Sequence, residues 1–118
     1  MTDKTFSELL DWQWQGYDKT HRSRNNLLIH IVAVPLFMLG ALNFVYALLF
    51  QGLLASLGGL LLMALSLFAQ GKGHELETSQ PAGFEDAWDF VRRVAAEQFV
   101  TFPRFVFSGG WYRNFRQA

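Results

Sequence analysis

The chain has no cysteine. That removes disulfides, thiolate nucleophiles, Cys-ligated zinc and Cys-ligated iron–sulfur clusters together. Imidazole is scarce as well, with three histidines in 118 residues. Ten Lys/Arg offset ten Asp/Glu, so no basic surplus provides a footprint for nucleic acid. Disorder is excluded by composition, because 51% of the residues are hydrophobic and only 17% are charged. The sharpest deficit is local. Residues 25 to 71, 47 in a row, contain no Asp, Glu, Lys or Arg.

Two apolar runs fill that gap. Leu27 to Leu49 is 23 residues whose strongly polar members are His30 and Asn43, and Leu53 to Ala69 adds 17 more, with Phe50, Gln51 and Gly52 as the turn between them. A bilayer core of about 30 Å takes about 20 helical residues, and backbone groups in hydrocarbon must be satisfied within their own segment. The expectation is therefore an all-α integral membrane bundle, one membrane-embedded domain, with a two-span hairpin at about 27–49 and 53–70. A soluble bundle would need polar chain to cover two helices that are apolar on every side, and this chain is too short for that. A signal peptide does not fit, because the first run begins late and exceeds an h-region in length. Lys19, Arg22 and Arg24 precede the first span, Lys72 follows the second, and the turn carries no charge, which places both termini in the cytoplasm. Small residues four apart in the second run, Gly52 with Ser56 and Ala55 with Gly59, favour close helix approach.

Both flanks read as amphipathic helices. Over about 5–17, Thr5 and Glu8 form a capping box, and Phe6, Leu9, Leu10, Trp14 and Tyr17 share a face. Over about 84–102, Phe84, Ala87, Trp88, Val91, Val94, Ala95, Phe99 and Phe102 recur at three and four residues. Glu85, Asp86, Asp89, Arg92, Arg93 and Glu97 take the other faces, and Pro103 disturbs the end. The tail mixes aromatics with Arg104, Arg113 and Arg116, a composition suited to lipid headgroups.

The three histidines converge. His30 is one turn into the first span, His74 lies just beyond the second, and an antiparallel hairpin brings both to the same end, where His21 also sits. On one continuous helix, nine residues would put His21 and His30 on opposite faces, so the chain must break between them. Ser23, Asn25 and Asn26 are the N-cap candidates that supply the break. Imidazoles without thiolate suit Fe(II), zinc or another divalent metal, catalytic if positions stay open. Glu75 and Glu77 beside His74 could complete the ligand set or orient a histidine. Gly71 and Gly73 let the backbone come close to a ligand or a neighbouring helix.

These residues resemble a known family. The pattern Tyr17, His21-Arg22, Asn26, His30, Ala33 and Pro35 is similar to the first signature of the 2-hydroxy fatty acid dioxygenases, membrane enzymes of fatty acid α-oxidation. Gln70, Gly73-His74, Glu75, Glu77 and Pro81-Ala82 resemble the second signature. Together the signatures and the hairpin between them cover residues 17 to about 107. The resemblance implies an Fe(II)-dependent dioxygenase that uses O₂ to convert a 2-hydroxy fatty acid to the one-carbon-shorter acid, with the lost carbon released as formate. It implies His21, His30 and His74 as catalytic metal ligands, with Glu77 as a fourth. Tyr17, Asn26, Arg22 and Lys72 become the substrate-binding residues, Arg24 being a further cation for a carboxylate. The family uses four histidines where this chain has three, so a carboxylate, water or a neighbouring subunit of a homo-oligomer would fill the last place. Ala33 stands where the family has glycine, and Pro81 lies one residue closer to His74 than the pattern asks. The alternative function is a non-enzymatic membrane lipid-binding protein or scaffold with structural histidines, and a haem held by His30 and His74 is a third reading.

Overall fold

The computed structural model describes residues 3–118, and all regular structure among them is helical. Helix α1 (Phe6–Tyr17) opens on the capping box: Thr5 Oγ1 accepts from the Glu8 amide at 3.2 Å, and Glu8 Oε1 accepts from the Thr5 amide at 2.9 Å. A 3₁₀ turn at Asp18–Thr20 follows, and the chain breaks before α2 (Arg24–Phe50), whose N-cap is Ser23. Two residues later α3 (Leu53–His74) runs back, the reversal made possible by Gly52 at φ 101°. Helix α4 (Ala87–Ala96), a π-helical segment (Glu97–Thr101) and α5 (Phe102–Phe107) form one continuous rod, and α6 (Gly110–Gln117) closes the chain.

Helices α2 and α3 face each other in antiparallel register. Asn26 meets Gly73, the Ala33 carbonyl accepts from Ser66, and Gly40 meets Gly59. Each step between these pairs is seven residues, two helical turns, the spacing that keeps one seam facing its partner. At the middle of the seam the backbones touch. A Cβ on Gly40 would lie 2.8 Å from the Gly59 carbonyl oxygen, and one on Gly59 would strike the Gly40 carbonyl and the Phe44 amide. Ser56 and Gly59 are buried in this contact, whereas Ala55 is exposed. Both helices are long and apolar enough to cross a membrane, at about 40 Å and about 33 Å. Only 28% and 22% of their apolar windows are buried, so most of their leucines face outward.

Packing concentrates at the open end of the hairpin, where Tyr17, Leu27, Val34, Phe102 and Phe105 form the buried cluster. Trp111 fastens α6 there by donating to the Leu27 carbonyl at 2.9 Å. Four details differ from the periodicity. Helix α3 continues through His74, one turn beyond Gln70. The third amphipathic helix starts at Ala87 rather than near Phe84, because Asp86 caps the Asp89 amide at 2.8 Å. Its rod also does not stop at Pro103; the hydrogen-bond ladder widens to π geometry just ahead of that donorless residue. The amphipathicity of α4 is inverted as well. Trp88 and Val91 stand 60% and 51% exposed, while Asp89 and Arg93 are buried, so its polar face turns inward.

Candidate metal centre

The break after the 3₁₀ turn, the second turn of α2, the last turn of α3 and the first residue of the π segment each contribute one side chain. They are His21, His30, His74 and Glu97, and their donor atoms all lie within 4.8 Å of one another. The three imidazoles pack edge to face with centroids 4.7–4.8 Å apart and interplanar angles of 82–88°. His21 reaches His30 only because the chain is not helical between them.

Local hydrogen bonds orient two of the rings. Nδ1 of His21 lies 2.9 Å from the Tyr17 carbonyl, and Nδ1 of His30 lies 3.1 Å from the Asn26 carbonyl. A carbonyl can only accept, so each Nδ1 carries a proton and each Nε2 is the nitrogen turned toward the cluster. Those Nε2 atoms, together with Nδ1 of His74, are buried and have no hydrogen-bond partner. Buried polar atoms are rarely left so, and three of them on the rings of one cluster fit a shared ion.

Glu97 supplies the negative charge. Its Oε2 lies 3.5 Å from Nε2 of His21 and 3.7 Å from Nε2 of His30. Burial alone would raise its pKa; the facing imidazoles of His21 and His30 and the Tyr17 phenol outweigh that and hold it at about 2. The carboxylate is therefore ionised at neutral pH. Tyr17 donates to the same Oε2 at 2.7 Å and stacks on His21 with centroids 3.7 Å apart. The next residue, Gln98, exchanges two amide hydrogen bonds with Gln70 of α3, at 2.9 and 2.8 Å. Gln70 also donates to Ser66, which donates to the Ala33 carbonyl. This buried polar chain ties the π segment to both long helices and fixes the rotation at which Glu97 leaves the rod.

The group could hold a metal ion. Ligand bonds of about 2.1 Å put neighbouring donors about 3.4 Å apart in a tetrahedral site, close to the Glu97–histidine distances. Three neutral imidazoles and a carboxylate suit Fe(II), zinc and similar divalent ions. Rings this close leave no room for a porphyrin between His30 and His74, which removes the haem reading.

The other residues expected at the site are placed as follows. Glu77, expected as a ligand, caps α2 instead: its carboxylate accepts from the Arg22 and Ser23 amides at 2.9 Å and from Asn26 Nδ2 at 2.7 Å. The positive end of α2 holds it there, in the role expected of Ser23, whose own side chain makes no cap bond. Asn26 bridges Glu77 and His30 and packs on Gly73. Tyr17 contacts Glu97 and His21. The Arg22 side chain pairs with Asp18 at 2.9 Å, and Lys72 pairs with Glu75 at 3.4 Å; both point to solvent, outside the cluster. Glu97 is not singled out by the sequence pattern, because on an ideal helix it belongs to a solvated polar face. Its signal is position: it is the last charge before six uncharged residues, Gln98 to Pro103.

Two cavities meet at the cluster. The larger, about 590 Å³, lies against α1 and the 79–82 loop and is lined by polar groups including Gln13, Lys19, Thr20 and Gln80, with His21, His74 and Glu97 in its wall. The smaller, about 220 Å³, lies between α3 and α4 and shares Gln13, His74, Pro81, Ala82, Arg93 and Glu97 with the first. Comparison with protein-family models, curated proteins and solved structures gives no match to this chain.

Proposed function

We propose that this protein is an integral membrane, Fe(II)-dependent dioxygenase that shortens a 2-hydroxy fatty acid by one carbon, with both termini on the cytoplasmic side. The observation that carries the reading is the convergence of three unpartnered imidazole nitrogens and the Glu97 carboxylate at the open end of an apolar hairpin. The two signatures around His21, His30 and His74 supply the choice of substrate. Glu97 takes the place of the family's fourth histidine. Outward-facing leucines on α2 and α3 and the exposed Trp88 and Val91 on α4 support the membrane setting, and Lys19, Arg22 and Arg24 at one end support its orientation.

Fe(II) at these residues would supply the electrons that allow O₂ to react with a closed-shell acid. The protein's own part is positioning. His21 and His30 are locked as Nε2 donors by the Tyr17 and Asn26 carbonyls. Glu97 stays ionised, and Tyr17 holds it from behind. The packed aromatic rings of Tyr17, Phe102 and Phe105 keep bulk water off that side of the cluster, while the polar cavity leaves the other side open to a hydroxy acid.

Electron counting selects the products. Cleaving the C1–C2 bond oxidises C2 by three electrons and C1 by one, which consumes one O₂ and gives the shortened acid, carbon dioxide and water. Formate would leave one oxygen atom unaccounted for unless a reductant supplied two electrons, so carbon dioxide replaces the formate expected from the resemblance. The test is anaerobic Fe(II) loading of the purified protein followed by 2-hydroxyhexadecanoic acid and O₂. Pentadecanoic acid and carbon dioxide in equal amounts support the reading; iron-loaded protein that consumes no O₂ rejects it.

A further inference from the structure

The two cavities differ in character on either side of the same two residues, His74 and Glu97. The larger is polar and faces α1. The smaller is lined by Leu67 and Gly71 of α3, Phe90 and Val94 of α4, and Phe84 of the loop. On α3, Leu67, Gln70, Gly71 and His74 share one face at helical spacing, and the stripe continues toward the hairpin turn through exposed Ala64 and Leu60. Seven residues from His74 back to Leu67 carry this apolar wall about 10 Å toward the membrane-spanning part of α3. On α4, Phe90, Arg93, Val94 and Glu97 form the matching face.

Arg93 stands where the two cavities meet. It is 6% exposed, it donates to the Ala82 and Gly83 carbonyls at 2.7 and 2.9 Å, and it lies against the rings of Trp12 and Phe84. It thereby clips the 82–84 loop over the cluster and separates a polar compartment from an apolar one.

We infer that the groove between α3 and α4 receives the apolar chain of a single-chain amphiphile arriving sideways from the bilayer, while its polar head occupies the larger cavity beside His74 and Glu97. The occupant is a membrane-dissolved acyl chain because the groove is continuous with the outward-facing apolar stripe of α3 and ends at the cluster. This rests on the function proposed above for the identity of the head group, but not for the groove itself. Gly71 is the natural place to block the path: a Cβ there meets nothing within 4 Å, so a larger side chain enters the groove without backbone strain.

The test uses a 2-hydroxyhexadecanoic acid with a diazirine midway along its chain, photolysed with the full-length protein in detergent micelles, and maps the adducts by mass spectrometry. Adducts on residues 67–71 and 90–94 that disappear in G71F support the inference. Adducts scattered over the lipid-facing leucines of α2 and α3, unchanged in G71F, overturn it. In turnover, G71F should lower kcat/KM for the long-chain acid by about ten-fold or more and lower that for 2-hydroxybutyrate far less. L67W is the second blocking variant, and iron content reports whether either still folds. Groove adducts in a wild-type protein that shortens no acid would reject the dioxygenase while keeping the groove.

Discussion

The Tyr17 hydroxyl donates to Glu97 Oε2 at 2.7 Å, joining residues 80 positions apart through the same oxygen that faces His21 and His30. The phenol thus orients a carboxylate that would bind metal. Y17F keeps the ring stacked on His21 and should keep the fold, while metal affinity falls by about ten- to a hundred-fold. Competition against a calibrated chelator measures this; unchanged affinity would mean the hydrogen bond has no part in the site.

The Gln70–Gln98 pair should behave as one unit. Either alanine variant leaves a buried amide unsatisfied and should cost about 1–3 kcal/mol. The double variant should cost less than the two singles together, with a coupling of about 0.5–3 kcal/mol. Unfolding of all four proteins in the same detergent gives the cycle. Additive losses would show that the pair does not fix the π segment.

Two neighbouring glycines should respond in opposite senses. A Cβ on Gly73 would strike the Asn26 side chain, which Glu77 holds, so G73A should destabilise by about 1–3 kcal/mol. It should weaken metal binding too, because Asn26 orients His30 through its carbonyl. G71A meets nothing and gains helix propensity, stabilising by up to about 1 kcal/mol. Equal melting shifts for both would contradict the α2–α3 register.

Glu77 and Glu97 separate by the kind of loss each causes. E77A strips three donors at the start of α2 of their acceptor and should cost about 2 kcal/mol of stability, with metal stoichiometry intact in the folded protein. E97A should do the reverse. Loss of metal from E77A without loss of stability would make Glu77 the ligand after all.

Much of this architecture is written in the residue pattern. The charge-free stretch gives two long apolar helices, and their antiparallel return explains why His30 and His74 meet. The incompatibility of His21 and His30 on one helix points to the break that Ser23 closes. What the pattern hides is long-range choice. Nothing local tells the roles of Glu77 and Glu97 apart, and helix capping by Glu77 depends on a loop meeting an N-terminus 55 residues away. The π segment depends on Pro103 and on the Gln70–Gln98 pair together, and a regular helical period cannot register it. Inverted amphipathicity of α4 follows from the polar loop and charged cluster it packs against, so polar residues that look solvated are buried.

The most direct measurement is the iron content of the purified protein after anaerobic loading, for the wild type beside H30A and E97A. One tightly held Fe(II) per wild-type chain is expected, with the ion lost from H30A and much weakened in E97A while both keep their helical content. Full iron retention by folded H30A, or none in the wild type, would contradict it.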